Sequence, residues 1–212
     1  MVEKGPILLY GKKDAKYHPM EPVEKVLSEC YDTVKVVATE NKNHLAYLNV
    51  SQYYMVILYE EFGEEPVNSI QGAGILQYVA GGGKLLVIHN GISVQENAEL
   101  AQLIGGKFTG HPPYTTLPIL EYHIEKREQP YMKCMKDFSL PEEIYQFDMD
   151  NFAKCEILCS FRVKGQEDDR IYPAIWARNY GMGKVIYCAP GHRSENLQSP
   201  QIQQFLKNVY EA

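Results

Sequence analysis

The residues in this chain that could do chemistry are histidines. Of the six present, His18, His89, His111 and His192 fall in loops just beyond apolar runs, close to Gly or Pro, whereas His44 and His123 do not. An imidazole titrates near neutral pH and offers a neutral nitrogen to transition metals. With Glu142 or Glu143 as oxygen ligand or proton acceptor, the set would make one of two sites. One is a centre for a divalent metal such as zinc, with His89, His111 and His192 as nitrogen ligands; the other is an acid/base site without metal. No HxxxH or HExxH spacing is present. Either site therefore exists only if the fold gathers distant loops on one rim. Each histidine taken alone is as readily structural as functional; it is four together that ask for a ligand.

Nucleophilic catalysis is the competing chemistry, because a strand-turn-helix elbow exposes the residue at its apex. His89 stands at such an apex, with no Ser or Cys in its place. Ser93 reads as a helix cap. Cys155, Cys159 and Cys188 read as inert core thiols. Gly81, Gly82 and Gly83 precede their strand, the wrong side for cradling a phosphate, and read as a helix stop.

The elements that must position these residues centre on GGGKLLVIHNGIS, Gly81 to Ser93. Leu85 to Ile88 is apolar at every position, which fits a strand covered on both faces. His89 then sits at its carboxyl end, where open α/β sheets bind ligands. Further strands are expected over Pro6–Tyr10, Val34–Ala38, Tyr53–Tyr59, Thr116–Ile124, Glu156–Val163, Pro173–Tyr180 and Lys184–Cys188. Helices are expected over about 21–30, 69–79, 96–104 and 199–210. Glu60 and Glu61 read as the polar start of a loop, with a carboxylate ligand pair as the alternative. Glu142, Glu143 and Tyr145 are placed at the start of a short strand, EKREQPYMKCMKD as connecting surface, and Gly165–Arg170 as a charged turn. Alternation of strands and helices predicts an α/β domain with a mostly parallel central sheet, helices on both faces and antiparallel strands added in the C-terminal half.

Composition narrows the class. A chain of 212 residues suits one substantial domain, 1–212. The net charge of −6 and the scattered basic residues argue against nucleic acid and anionic membrane surfaces. No apolar run approaches the roughly 20 residues that span a bilayer. The start, MVEKGPILLYGKKD, has too short an apolar stretch for a signal peptide, so the cytoplasm is the expected location. Five cysteines without a CxxC pair suit reduced thiols. The expected partner is a small molecule, with a homodimer left open.

The blocks GGGKLLVIHNG, ELAQLIGGKFTGHP, EEIYQF and PAIWARNYGMGKVIYCAPGHRSE, followed by a terminal helix, resemble the trehalose-utilisation ThuA-like family, whose fold is similar to class I glutamine amidotransferases. The resemblance spans nearly the whole chain. It implies a flavodoxin-like three-layer sandwich and a role in carbohydrate metabolism. His89 matches the family's histidine after the central strand, His111 its F-x-x-HP block, Glu143 and Tyr145 its D-E-x-Y block and His192 its G-H block, with His18 similar to a histidine after the first strand. Glu142 replaces the common aspartate, and SVQENAEL stands where the family often carries an aromatic stretch. Glutamine hydrolysis is not implied, since the attacking thiol is missing where His89 stands. The expected site thus has His89, His192 and Glu143 as catalytic residues and His18, His111, Tyr145 and Asn90 as substrate-binding ones, in an enzyme acting on a sugar or sugar derivative. The alternative is a sugar-binding or regulatory protein that uses the same pocket without chemistry.

Overall fold

The computed structural model describes residues 4–63, 65–166 and 170–212. In chain order the elements are β1 (Ile7–Gly11), α1 (Met20–Cys30), β2 (Val36–Thr39), β3 (Met55–Tyr59), α2 (Ser69–Ala80), β4 (Lys84–Ile88), α3 (Ala98–Ile104) and β5 (Gly106–Gly110). There follow β6 (Ile119–Ile124), β7 (Phe138–Pro141), β8 (Gln146–Met149), β9 (Glu156–Val163), β10 (Tyr172–Tyr180), β11 (Gly183–Cys188), α4 (Ser194–Leu197) and α5 (Pro200–Glu211). One sheet runs β2-β1-β3-β4-β11-β10-β9-β6-β7, and β5 and β8 form a separate antiparallel ribbon. The strands from β2 to β11 pair in parallel. The remaining four extend the sheet with antiparallel partners.

Why the parallel strands are apolar throughout is plain from their two faces. Successive side chains of a strand point to opposite sides. In β1, Ile7 and Leu9 pack into the core under α1 and α5, while Leu8 and Tyr10 enter the core under α2 and α3. Both faces are covered, so β3 and β4 are buried at every position. The helices carry matching stripes: Ile202, Phe205, Leu206 and Val209 of α5 recur at helical spacing on its buried side. α2 begins where Asn68 and Gln71 form a reciprocal capping box, which fixes its start.

Several local expectations are corrected. α3 starts at Ala98, because the Asn97 side chain accepts from the Glu99 and Leu100 amides. Residues 89–96 form a 3₁₀ turn instead. Ser93 is consequently not a helix cap; its hydroxyl lies 2.7 Å from Asn90 O and 3.1 Å from Glu60 O, and accepts from the Phe62 amide at 2.7 Å, tying the turn after β4 to the loop after β3. Glu142, Glu143 and Tyr145 lie in the link between β7 and β8 rather than at a strand start. The supposed connecting surface holds a 3₁₀ turn whose Tyr131 and Met132 are buried. Of the charged turn at Gly165–Arg170, residues 167–169 lie outside the described residues, as do residues 1–3 of the start of the chain. Among the described residues, no helix is long and apolar enough to cross a membrane.

Candidate metal and acid/base centre

His18 lies in the loop after β1, His89 directly follows β4, His192 lies between β11 and α4, and Glu143 comes from the β7–β8 link. The three strands leading to the histidines are parallel members of one sheet, so their carboxyl ends share a rim. There His18, His89, His192 and Glu143 each offer a ligand atom, all within 4.8 Å of one another. His89 is held at φ 44, a left-handed conformation that costs a non-glycine residue about 1–2 kcal/mol. The turn stays tight because Gly91 follows: a Cβ there would lie 2.4 Å from Leu58 O of the neighbouring strand.

Hydrogen bonding fixes where the lone pairs point. His89 Nδ1 lies 2.7 Å from Ala189 O, and a carbonyl only accepts, so Nδ1 carries the proton. In the neutral ring, Nε2 then presents a lone pair. It faces Glu143 Oε2 at 3.3 Å, fully buried and with no well-formed hydrogen bond. Glu143 Oε2 also lies 3.4 Å from His192 Nδ1, which is 3.2 Å from His18 Nε2. Acceptors thus converge on a point that needs a cation, either a proton or a metal ion.

The charges follow. Burial works against ionisation of Glu143, but the His192 and His89 rings beside it hold its carboxyl well below the usual range. That same contact raises the His192 pKa. Burial, aided by the neighbouring His89 and His192 rings, pushes His18 down to about 3, so this ring is neutral and ready to ligate near pH 7. Stability should respond accordingly. Where the unfolded chain binds more protons than the folded one, stability rises with pH. For His18 that window runs from about 3 to 6.5, and for Glu143 it lies below 4.5, so both contributions are lost on acidification. His192 acts oppositely, its contribution being lost as pH rises above 6.5 through its raised value. Metal-free protein should lose Tm steadily as pH falls from 6.5 toward 3, and His18→Asn should flatten the upper part of that fall in thermal melts.

The other expected site residues occupy distinct places. Glu142 is fully buried and turned from the centre, accepting from the amides of Glu143, Gly191 and His192 and from the Asn196 side chain. Asn196 was not singled out from sequence; its place four residues beyond His192 is the only signal. Tyr145 stacks on His89 with ring centroids 4.2 Å apart. His111 is not among the four clustered groups, contrary to its expected role as a metal ligand. It is exposed, stacks between Tyr114 and Tyr145 and bonds Pro112 O at 2.9 Å. Its place in the cluster is taken by His18. With Tyr114, Arg193 and Thr116, His111 lines a crevice of about 520 Å³ that opens onto Glu143 and His192. Asn90 is buried, and neither polar atom of its amide has a partner among the described residues.

Comparison with known proteins agrees with this architecture. The ThuA family model, described as trehalose utilisation, matches residues 6–211. No curated protein matches the sequence significantly. A ThuA-like protein of Bacteroides uniformis superposes with TM-score 0.74 at 18% identity, covering 99% of this chain and 92% of that one. A cytoplasmic protein of Salmonella typhimurium gives TM-score 0.66 at 11% identity, covering 97% and 98%. A β-galactosidase of the haloarchaeon Halorubrum lacusprofundi gives TM-score 0.61 at 16% identity, with 99% of this chain matched to 30% of that one.

Proposed function

The chain belongs to the ThuA family of trehalose-utilisation proteins, and from that membership we propose an enzyme of carbohydrate metabolism that acts on a sugar or sugar derivative at the His18, His89, His192 and Glu143 centre. The family supports the carbohydrate role. The observation that carries the chemistry is the His89 Nε2 lone pair, buried and facing a carboxylate oxygen at 3.3 Å with its tautomer set by Ala189. Three imidazoles and one carboxylate suit a divalent transition metal such as zinc. Bound there, such an ion would act as a Lewis acid toward a substrate or water oxygen. Of the chain's own groups, His89 supplies a fixed lone pair, His18 a neutral nitrogen and Glu143 the balancing negative charge. His192, the most exposed of the three imidazoles, would offer Nδ1 to a bound ion and, without one, holds the proton there, since Glu143 raises its proton affinity. His111 lines the substrate's approach, and Tyr145 backs the His89 ring by stacking on it. The location carried with this proposal is the cytoplasm, as described for the Salmonella neighbour.

Elemental analysis of untagged protein, purified without chelator and then dialysed against zinc, tests the reading together with turnover on disaccharides and keto-sugars. About one ion per chain and turnover that EDTA removes are expected. A second reading, proton transfer by the His192–Glu143 pair alone, is favoured by the raised His192 pKa, and it predicts turnover that survives chelation. Turnover unchanged in both His89→Ala and His192→Ala would overturn both.

A further inference from the structure

The crevice beside the centre carries one charged group that the proposed chemistry does not use. Among the residues that line its volume of about 520 Å³, Glu143 and His192 belong to the centre, His111, Tyr114 and Thr116 are polar, and Arg193 is the sole permanent cation. We infer that Arg193 makes this a site for an acid: the substrate is a polyhydroxylated ring bearing a carboxylate, which the guanidinium reads while a neighbouring oxygen is directed at His192 and Glu143. This deepens the sugar chemistry proposed above and rests on it, adding the charge of the substrate and the residue that selects it.

The guanidinium is uncommitted. Arg193 is exposed, and it has no hydrogen bond or ion pair among the described residues. The neighbouring carboxylates are engaged elsewhere: Glu142 is buried and accepts from the Gly191 and His192 amides and from Asn196, and Glu143 Oε2 faces His89 and His192. The charge of Arg193 is nonetheless felt at the centre, since Glu143 raises the proton affinity of His192 and Arg193 opposes it. Arg193 also follows His192 directly, and Glu142 clamps the His192 amide at 3.2 Å. The anchor for an acid and the reacting imidazole therefore share one fixed stretch of backbone.

The lining chemistry selects a carboxylate. A guanidinium presents its donors as a planar fork that matches both oxygens of that group. A neutral hydroxyl answers none of the charge, and a dianionic phosphate calls for more cations than one, whereas no lysine lines the crevice. Glu143 does not repel an acid, because its own charge is balanced by the proton on His192 or by an ion in its place. The rest of the wall suits hydroxyls. Tyr114 accepts from the Ile144 amide at 2.6 Å, so its own O–H is left to donate, and His111 commits Nδ1 to Pro112 O, so the neutral ring keeps Nε2 as an acceptor. The volume falls within the range of about 300–1,000 Å³ usual for small-molecule sites.

Calorimetric titration of zinc-supplemented protein with glucose, galactose, glucuronate, galacturonate and glucose 6-phosphate tests this. Each acid differs from its parent sugar only at the terminal carbon, so the comparison isolates the carboxylate. At least one acid is expected to bind about tenfold or more tightly than its parent, the gain typical of hydrogen bonds to a charged group, and the advantage should shrink as salt rises. Arg193→Gln should remove the advantage and leave the parent sugar's affinity as it was. Arg193→Lys, which keeps the charge without the fork, should restore part of it. Arg127→Gln, which removes a cation beyond the far end of β6, should leave it intact, with circular dichroism confirming that every variant folds. The assignment is overturned if no probe binds, if the acids bind no more tightly than their parents, or if glucose 6-phosphate binds more tightly than glucuronate. It is equally overturned if the advantage persists in Arg193→Gln, which would give it to the ion alone. Its failure is separable from that of the catalytic reading. An Arg193-dependent preference for acids in protein that neither holds metal nor turns over would sink that reading and keep this one. Turnover abolished in His89→Ala, with acids and parent sugars bound alike, would do the reverse.

Discussion

His89→Ala is expected to weaken zinc binding by at least about 100-fold and to abolish turnover, the largest functional effect of any single change in the chain. Removing even a residue that merely supports a ligand typically loses 10–100-fold in metal affinity. Here the ligand itself goes, together with the fixed orientation that the Ala189 carbonyl gives it. The fully buried Glu143 contact would be left facing a void, and Tyr145 would lose the ring it stacks on. Competition for zinc against a chromogenic chelator measures the loss. Because alanine at φ 44 is itself strained, His89→Asn is the companion variant: asparagine tolerates the left-handed region. It should keep a near-native Tm while losing zinc about as completely. His44→Ala, at an exposed imidazole bonded to Thr39, should keep wild-type affinity. Equal zinc affinity in wild type and both His89 variants would remove the centre from the account.

The parallel half of the fold was legible because its physics is local. A strand covered on both faces must be apolar throughout, so β1, β3, β4 and β11 announce themselves, and the rim at their carboxyl ends follows. His89 and His192 sit within a few residues of those ends, which is why their positions could be read. His18 is seven residues beyond β1, and its destination depends on the path of the loop. The Met20 amide bonds Lys12 O at 2.9 Å, folding the loop back so that the His18 ring sits 5.1 Å from His89 and 5.2 Å from His192. Nothing in the spacing of the residues gives that. For His111 the reason is different. It leaves β5, a five-residue strand bounded by glycines that alternation does not reveal, and β5 pairs with β8 outside the main sheet. A histidine at the end of that ribbon is carried to the crevice wall instead of the centre. Glu142 and Glu143 are adjacent in an irregular link, so residue spacing alone does not say which carboxylate turns to the centre; the family resemblance singled out Glu143, the one found there.

That division of labour between adjacent glutamates yields the largest expected stability effect. Glu142→Ala should lower stability by about 3–5 kcal/mol, because several buried N–H donors lose their acceptor at roughly 1–3 kcal/mol each. Its carboxylate accepts from the Gly191 amide at 2.8 Å, the His192 amide at 3.2 Å and the Asn196 side chain at 2.9 Å, while its other oxygen accepts from the Glu143 amide at 2.9 Å. Alanine leaves these donors without their acceptor at a fully buried position. For a chain of this size, about 2–4 °C per kcal/mol makes the expected fall in Tm on the order of 10 °C. Glu142→Gln keeps the shape and one acceptor oxygen but turns an amide toward N–H donors, so an intermediate fall is expected. The effect should also reach the centre. The same carboxylate fixes the backbone amides of His192 and Glu143, two of the four converging groups, so zinc affinity should drop by about 10–100-fold at temperatures where both variants remain folded. Differential scanning calorimetry read beside zinc competition separates the two consequences. A Glu142→Ala protein with wild-type Tm would show that the anchor carries no load. One that is destabilised yet binds zinc normally would show that the loop bearing His192 holds its geometry without it.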